Sequence, residues 1–286
     1  MQAKTLTMPV DSTSSLDSAK KTLESINNFV SLGLRNLKVI CTVNQRLEAK
    51  LLDDYQFASY QLAFCAAEIS AASYFLDYCR DGSTNPNQRA LALLFAGDTF
   101  QSVIERLKTA SHDIGIDSED LSTIENSTEA KALLLETQPK AVSALGAEIV
   151  DGTIGRLPSG LDDEKELVRE SFSRFADEVV APLAEKIHRE DRDIPDEIIQ
   201  TAAQLGCFGT CIPERFGGLQ PDEKSDSVSM IVVTEELSRG SLGAAGSLIT
   251  RPEIAARALL AGGTERQQQN WLPKLASGET LCAISI

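Results

Sequence analysis

Few side chains in this sequence have the types and spacing that chemistry requires. Cys207 and Cys211 have the spacing of half a zinc site, but the sequence has neither a second such pair nor a histidine close to them. The histidines are His112 and His188, and the second lies in a charged stretch typical of a solvated helix end. Two histidines nearly exclude a His-rich metal centre or a histidine-based triad. The residue types therefore predict no metal site and identify no catalytic residue.

The charge balance restricts the partners. The chain has 286 residues, of which 27 are Lys or Arg and 42 are Asp or Glu, giving a formal net charge of -15. A net-acidic protein without a basic block repels phosphate groups, so we expect no nucleic-acid partner and no binding to anionic membranes. With 42% hydrophobic residues, the chain can bury a sizeable core. Its length suggests about two domains.

Targeting signals and cysteine usage point to one compartment. No apolar run approaches the roughly 20 residues that span a bilayer, and the N-terminal stretch lacks the apolar core of a secretory signal. The six cysteines are scattered, mostly in apolar stretches, which favours buried free thiols in a reducing environment. We therefore expect a soluble, cytoplasmic protein.

Helical periodicity fills the first half. Apolar residues recur every three or four positions from Leu51 to Leu76, which predicts one face of a long amphipathic helix. Further helices are predicted around 18–47, 89–110 and 127–135, and no strand-like alternation occurs there. This half is typical of an antiparallel helical bundle. The segment 151–164 is rich in Gly, Pro, Ser and Asp and is the predicted linker.

The second half alternates helices with glycine-rich loops. One helical face runs from Leu167 to Ile187, and Pro182 should kink that helix or mark a start or stop. Helices are also predicted over 195–205, 225–239 and around Pro252, which should disturb its helix. Residues 264–267 predict a capping box that begins another helix, and LCAISI (281–286) predicts a strand. In the loop between the helices predicted over 195–205 and 225–239, Gly217 and Gly218 predict a turn with positive φ.

The order of these second-half motifs is more specific than any of them alone. LGCFGTCIPERFGGL is followed by VTEELSR, then by GGTERQQQNWLPKLASGE, then by LCAISI. This succession resembles the N-terminal helical domain of the acyl-CoA dehydrogenase family over residues 163–286. The departures are Gln268 and Gln269, where the family often has Lys or Arg, and Trp271, where Tyr is common.

The resemblance implies an all-α fold: a helical N-terminal extension (1–155), an acyl-CoA dehydrogenase N-terminal helical domain (156–280) and the first strand of a β-domain (281–286). It further implies FAD, with Ile284, Ser285 and Ile286 approaching the isoalloxazine edge. The family's catalytic glutamate and most of its flavin contacts lie in domains not represented here. We therefore expect this chain to be the N-terminal part of a longer enzyme, inactive alone, and to bind FAD weakly or not at all.

The partners implied by the resemblance are an acyl-CoA substrate, an electron-transfer flavoprotein as electron acceptor and further copies in a homo-oligomer. The helical extension resembles that of the methylsuccinyl-CoA dehydrogenases of ethylmalonyl-CoA metabolism, which predicts methylsuccinyl-CoA as substrate. Two alternatives stay open: an ordinary branched-chain or glutaryl-type dehydrogenase, and a non-catalytic helical module that docks on a partner.

Arg251 carries two interpretations. It falls where the family's helix lines the floor of the acyl pocket, and its guanidinium could bind the free carboxylate of methylsuccinyl-CoA. Alternatively, Arg251 caps the helix break at Pro252 and faces water, since arginine is rarely buried without a partner.

Overall fold

The computed structural model describes residues 12–80, 86–152, 159–283 and 285. The chain divides into two compact units, Met1–Pro158 (unit 1) and Ser159–Ile286 (unit 2). The described residues of both units are predominantly helical, as the all-α prediction requires. None of their helices is long and apolar enough to cross a membrane.

Unit 1 is built on three long helices: α1 (Ser12–Ile40), α3 (Gln56–Arg80) and α4 (Pro86–Ile114). Shorter helices complete it: α2 (Ala49–Asp54), α5 (Ser118–Glu125), α6 (Thr128–Leu135) and α7 (Pro139–Val150). The single helix predicted from Leu51 to Leu76 is interrupted at Tyr55, between α2 and α3. Within α3 the predicted face is the one that packs against α1 and α4, because Leu62, Ile69 and Leu76 are buried there. Its period of three to four residues places one side chain per turn in the core.

The helix predicted over 18–47 ends earlier than expected. α1 stops at Ile40, and a two-residue hairpin follows, with β1 (Thr42–Val43) paired antiparallel to β2 (Arg46–Leu47). Asn44 and Gln45 form the loop with φ of 49° and 63°, the left-handed region that two-residue hairpins require. The β-branched Thr42 and Val43 and the turn-forming Asn44 are the residues that break the helix here.

Unit 2 contains shorter helices. They are α8 (Asp163–Phe175), α9 (Ala181–Arg189), α10 (Asp196–Gln204), α11 (Ser227–Ser241), α12 (Ser247–Gly262) and α13 (Glu265–Ala276). A π-helical segment, Ala176–Val180, joins α8 to α9 without interruption, and Pro182, where a kink or a helix end was predicted, lies in the first turn of α9 directly after that segment. A second π segment, Leu242–Gly246, joins α11 to α12, and Pro252 lies within α12.

The strand predicted at 281–286 is not formed in the part of the chain that the structure describes. Residues 281–283 and Ser285 have no regular secondary structure. A strand is defined by hydrogen bonds to a neighbour, and the described residues of unit 2 contain no strand with which this segment could pair. Ile284 and Ile286 lie outside the described residues.

Two apolar clusters form the core of unit 2. One gathers α8, α10, α11 and the start of α12 around Phe172, Phe208 and Leu237. The other joins the loop after α10 to α12 and α13 through Ile212, Ala256 and Leu272. The core of unit 1 is a separate cluster, formed entirely by its own described residues. Each unit therefore has a hydrophobic core of its own.

Candidate functional site

The loop between α10 and α11 is held by backbone contacts. It contains two 3₁₀ turns, Cys207–Gly209 and Glu214–Phe216. Gly217 has φ of 81°, as the sequence predicted, but Gly218 has no positive φ. A Cβ atom at Gly218 would lie 1.9 Å from the carbonyl oxygen of Ile212, so glycine is required there by close approach of the backbone rather than by conformation.

Hydrogen bonds across this loop close it on itself. The N–H of Leu219 donates to the carbonyl of Gly209 at 2.8 Å, and the N–H of Gln220 donates to that of Ile212 at 3.0 Å. The glycine pair thus allows the second half of the loop to pack directly against the first half. The glycine pair of the sequence motif is thus explained by how the loop folds.

The EELSR segment of α11 forms an ion-pair network. Arg239 donates from its Nη1 to Asp177 at 2.7 Å and from its Nε to the buried carboxylate of Glu236 at 2.8 Å, and its second Nη contacts Ser173. The hydrogen bonds to Asp177 and Glu236 raise the pKa of the Arg239 guanidinium further above its ordinary value. This arginine links α11 to α8 and to the π segment, and the motif is again structural.

The capping box predicted at the start of α13 is present. The Thr264 hydroxyl accepts from the N–H of Gln267, and the Gln267 amide oxygen accepts from the N–H of Thr264 at 2.8 Å. Gln268, which stands where the family often has a cation, donates its amide to the carbonyls of Leu259 and Gly263. Its role at the end of α12 could not be found from sequence, because it depends on how α12 and α13 meet.

Arg251 is exposed on α12, and among the described residues it makes no ion pair. It lines one side of a cavity of about 20 Å³. The other lining residues are Phe208, Leu248, Pro252, Leu275, Thr280, Leu281 and Cys282. Because a single water needs roughly 10–15 Å³, this cavity has room for about one water and not for an acyl chain.

The three cysteines of unit 2 are kept protonated, and of these Cys282 lines the cavity beside Arg251. Burial raises the pKa of Cys211 to about 11, with the Glu253 carboxylate adding to it, and burial raises that of Cys207 to about 12. Burial also raises the pKa of Cys282, while the Arg251 guanidinium opposes that change. Within the described ranges, no group of three or more His, Cys, Asp or Glu side chains could hold a metal ion.

Two wider clefts lie on the surface of unit 2. One, of about 460 Å³, is lined by Arg215, Phe216, Glu265, Gln268, Gln269 and Pro273. The other, of about 520 Å³, lies between residues 160–165 and 221–228 and contains the ion pair of Lys165 with Asp226 at 2.8 Å. Neither cleft includes Arg251 or Ser285. Of the residues expected at the flavin edge, Ser285 is exposed, and it does not line the cavity of described residues that Arg251 lines.

Comparison with known proteins agrees with the motif order. Residues 162–279 match the family model of the acyl-CoA dehydrogenase N-terminal domain. The chain is 38% identical over 261 residues to a (2S)-methylsuccinyl-CoA dehydrogenase of Cereibacter sphaeroides, covering 86% of this chain and 45% of that protein. The resemblance to the family is thereby confirmed, and the chain spans somewhat under half the length of this relative.

Other relatives match a shorter part. A mitochondrial 2-methylacyl-CoA dehydrogenase of Solanum tuberosum is 34% identical over 128 residues, 44% of this chain and 30% of that protein. A glutaryl-CoA dehydrogenase of Desulfococcus multivorans is 29% identical over 126 residues, 44% of this chain and 32% of that protein. The 86% coverage by the first relative exceeds what unit 2 alone can supply, so that match extends through much of unit 1.

Proposed function

From the match of residues 162–279 to an acyl-CoA dehydrogenase N-terminal domain, we propose that this chain is the N-terminal part of an FAD-dependent dehydrogenase that converts methylsuccinyl-CoA to mesaconyl-CoA. The proposed substrate rests on how much of the chain each relative matches. The relative whose name specifies methylsuccinyl-CoA matches 86% of the chain, whereas the 2-methylacyl and glutaryl relatives match 44%. The longer match supports methylsuccinyl-CoA as the proposed substrate.

In this proposal the enzyme removes a proton from the carbon α to the thioester, and FAD, when bound, accepts the hydride from the β carbon. None of these three cavities of the described residues is a flavin cradle, because neither wide cleft reaches Ser285 and the cavity beside Arg251 holds about one water. The described residues are therefore assigned no part in the hydride step. A position for Ile284, Ser285 and Ile286 at its edge stays a proposal, as does the absence of activity in this chain alone.

Arg251 is the residue we propose for substrate selection. Its guanidinium is exposed and makes no ion pair within the described ranges, so it can take a carboxylate bidentately without first breaking another pair. Water could satisfy the same group equally well, which is the competing interpretation. The two differ in how the enzyme should respond to substrates with and without a distal carboxylate.

The decisive experiment is Arg251→Ala in the complete enzyme that contains this chain. If Arg251 binds the carboxylate, kcat/KM for methylsuccinyl-CoA should fall roughly 30-fold or more, while isobutyryl-CoA, which has no distal carboxylate, should change little. The matched control is Arg257→Ala on the same helix, whose exposed guanidinium pairs with Glu253 at 2.8 Å. It should leave both substrates unaffected.

The outcomes separate the alternatives. Equal loss on both substrates would mean that Arg251 acts through folding, and no loss on either would place it in water. Turnover of isobutyryl-CoA or glutaryl-CoA above methylsuccinyl-CoA by the unaltered enzyme would favour the ordinary branched-chain or glutaryl-type dehydrogenase. Absence of any acyl-CoA turnover would favour the non-catalytic module.

The remaining partners belong to the same proposal. We expect the complete enzyme to pass electrons to an electron-transfer flavoprotein, to form a homo-oligomer and to work in the cytoplasm. Reduction of the purified flavoprotein in a coupled assay with methylsuccinyl-CoA tests the first of these. An enzyme that reduces only artificial acceptors would contradict it.

A further inference from the structure

Helix α3 is apolar on two opposite faces. Its inner face is buried against α1 and α4, through Ala58, Leu62, Cys65, Ile69, Ala72, Leu76 and Cys79. Its outer face is exposed and consists of Phe57, Tyr60, Ala63, Phe64, Ala67, Ser70, Ala71 and Tyr74. A helix that is apolar on both sides is typical of the interior of a larger bundle, where it has neighbours on each side. The described residues of unit 1 cover the inner face and leave the outer face largely open.

Four aromatic rings lie exposed on the outer face. Phe57, Tyr60, Phe64 and Tyr74 are 52%, 55%, 41% and 75% exposed, and the ring centroids of Tyr60 and Phe64 are 4.6 Å apart. Between Phe64 and Tyr74 the face carries alanine and serine, small residues that let another helix approach closely. Single exposed apolar residues are ordinary, but a row of them along one helix marks an interaction surface.

The electrostatics of the outer face favour an apolar partner. Glu68 is the one charged residue from 56 to 76, and it pairs with Arg106 at 3.2 Å. In a chain whose formal net charge is -15, this face therefore offers no free charge with which a charged partner could pair. Since interacting surfaces have complementary potentials, the partner of this face is an apolar surface with few charges.

A second helix of unit 1 also lacks packing partners. α7 has 12 residues, of which seven are Ala, Val, Leu or Ile, and none of the 12 is buried. Val142, Ile149 and Val150 are 40%, 49% and 85% exposed. An isolated helix shorter than about 12–15 residues is marginal in water and depends on tertiary packing for its stability. α7 therefore requires a neighbour that the described residues of unit 1 do not supply.

The size of the outer face distinguishes between occupants. The exposed parts of the four rings amount to about 450 Å² at about 200 Å² per ring, so an equal contribution from a partner would give about 900 Å² of buried surface. Specific complexes between separate chains bury about 1,200–2,000 Å². Two parts of one chain need less, because their connection holds them at an effective concentration of about millimolar. A face of this size therefore favours a partner within the same chain over a second copy.

The length of a relative indicates where such a partner lies. The methylsuccinyl-CoA dehydrogenase of Cereibacter sphaeroides matches 86% of this chain, including much of unit 1, but this chain covers only 45% of that protein. We propose that, in the complete enzyme, the outer face of α3 is covered by the part that this chain does not span, through an apolar surface with few charges. This inference rests on the proposed function, in which the chain is part of a longer enzyme.

The test is hydroxyl-radical footprinting of Tyr60 and Tyr74, read by mass spectrometry, on the 286-residue chain and on the complete enzyme that contains it. In the chain alone, both rings should stay reactive from about 1 to 200 μM, the range in which a weak dimer would form. In the complete enzyme, both should react at least about tenfold more slowly. That protection should persist on dilution to about 0.1 μM, because a contact within one chain does not dissociate on dilution.

Substitutions on the outer face test the contact itself. Ala67→Glu and Tyr74→Lys place charges where the partner would bury them, so each should lower the Tm of the complete enzyme by about 3 °C or more. In the 286-residue chain, each should change the Tm by less than about 1 °C, since both positions are exposed there. Tyr74→Phe keeps the ring and should leave both proteins unchanged. The matched control is Val39→Lys in α1, at a residue 76% exposed outside this face, which should lower neither Tm.

Three results would overturn the proposal. Equal reactivity of both tyrosines in the chain and in the complete enzyme would mean that nothing covers the face. Protection that grows with the concentration of the chain alone, or that is lost when the enzyme is diluted, would mean that a second copy covers it. Equal losses of Tm in the chain and in the enzyme would mean that the variants act within unit 1. Acyl-CoA turnover tests the proposed function separately, because the footprint does not depend on which substrate the enzyme oxidises.

Discussion

Units 1 and 2 reach a helical fold by different means. In unit 1, helices of 29, 25 and 29 residues pack through side chains that repeat every three or four positions. In unit 2, the helices have 9 to 16 residues, and π segments, 3₁₀ turns and a loop closed by backbone hydrogen bonds connect them. Unit 1 is specified by a pattern that many sequences satisfy, whereas unit 2 is specified by particular residues at particular places. This difference explains why the recognisable motifs lie in unit 2.

The largest difference between the two units should appear when a glycine is replaced by alanine. Gly218→Ala puts a Cβ 1.9 Å from a backbone oxygen that cannot move without opening the loop, so we expect a loss of about 3 kcal/mol or more in the unfolding free energy of unit 2. The single tryptophan, Trp271, belongs to α13. Its fluorescence in urea unfolding therefore reports unit 2.

The comparison variant is Gly33→Ala in α1 of unit 1. A Cβ there would meet only side-chain atoms of Leu62 and Ile114, at 3.0–3.4 Å. Because alanine is also the better helix former by about 1 kcal/mol, the two effects should nearly cancel. All four tyrosines belong to unit 1 and report its unfolding. A loss as large as that of Gly218→Ala would show that packing in unit 1 is as restrictive as the loop of unit 2.

An intermediate effect is expected at Asp226, the N-cap of α11. Burial works to raise its pKa, but hydrogen bonds from Lys165 and Ser229 outweigh burial and hold the pKa at about 2, below the ordinary 3.8. A depressed pKa stabilises the fold above about pH 4, and that contribution is lost as the pH falls towards 2. Asp226→Asn keeps the cap and removes the charge, so unit 2 should lose about 1–2 kcal/mol at pH 7.

The pH profile distinguishes this from a packing defect. The difference between the unaltered chain and Asp226→Asn should shrink as the pH falls from 4 to about 2.5, measured by urea unfolding at each pH. Asp77→Asn is the counterpart in unit 1, where a hydrogen bond from Lys20 also lowers the pKa of the aspartate. That side chain is 46% exposed, and we expect a smaller effect. A difference at Asp226 that stays constant with pH would contradict the electrostatic account.

The smallest effect, from loss of a helix N-cap, should be of equal size in both units. Thr264→Ala removes the hydroxyl of the capping box of α13, and Ser127→Ala removes the N-cap bond to the N–H of Ala130 in α6. Each should reduce the unfolding free energy by about 1 kcal/mol, because a cap is local and does not depend on how its unit is packed. Thermal unfolding checks both, and markedly unequal losses would mean that the caps also act through packing.

The sequence predicted the structure where that structure depends on a single short segment. The core face of α3, the place of Pro182 in the first turn of α9 and the capping box at Thr264 each depend on residues within a few turns of one another. The end of α1 was predicted too late because the apolar period continues past Ile40. The left-handed turn at Asn44 and Gln45 forms a hairpin there instead of more helix. Helices α5 and α7 were not predicted: α5 has only 8 residues, and α7, with 12, has no buried residue and so no core-facing apolar stripe.

Contacts between segments could not be predicted in the same way. Gly218 was expected to need a positive φ, whereas its constraint is the distance to Ile212, six residues earlier. Gln268 was noted only as a departure from the family pattern, and its hydrogen bonds to Leu259 and Gly263 appear only once two helices are placed. The expected strand at 281–286 has no partner strand among the described residues of unit 2, and a strand cannot form without one.

The rates at which the buried thiols react can measure how often each unit opens locally. Cys41, Cys65 and Cys79 are buried in unit 1, Cys207 and Cys211 are buried in unit 2, and Cys282 is half-buried. Cys65, Cys207 and Cys211, with pKa values of about 11 to 12, hold almost no thiolate at neutral pH while they remain enclosed, so an aromatic disulfide reagent can react with them only after the surrounding helices separate. Cys282 should react first. The later reaction rates, assigned by peptide mass, would then give separate opening frequencies for the two units without a single substitution.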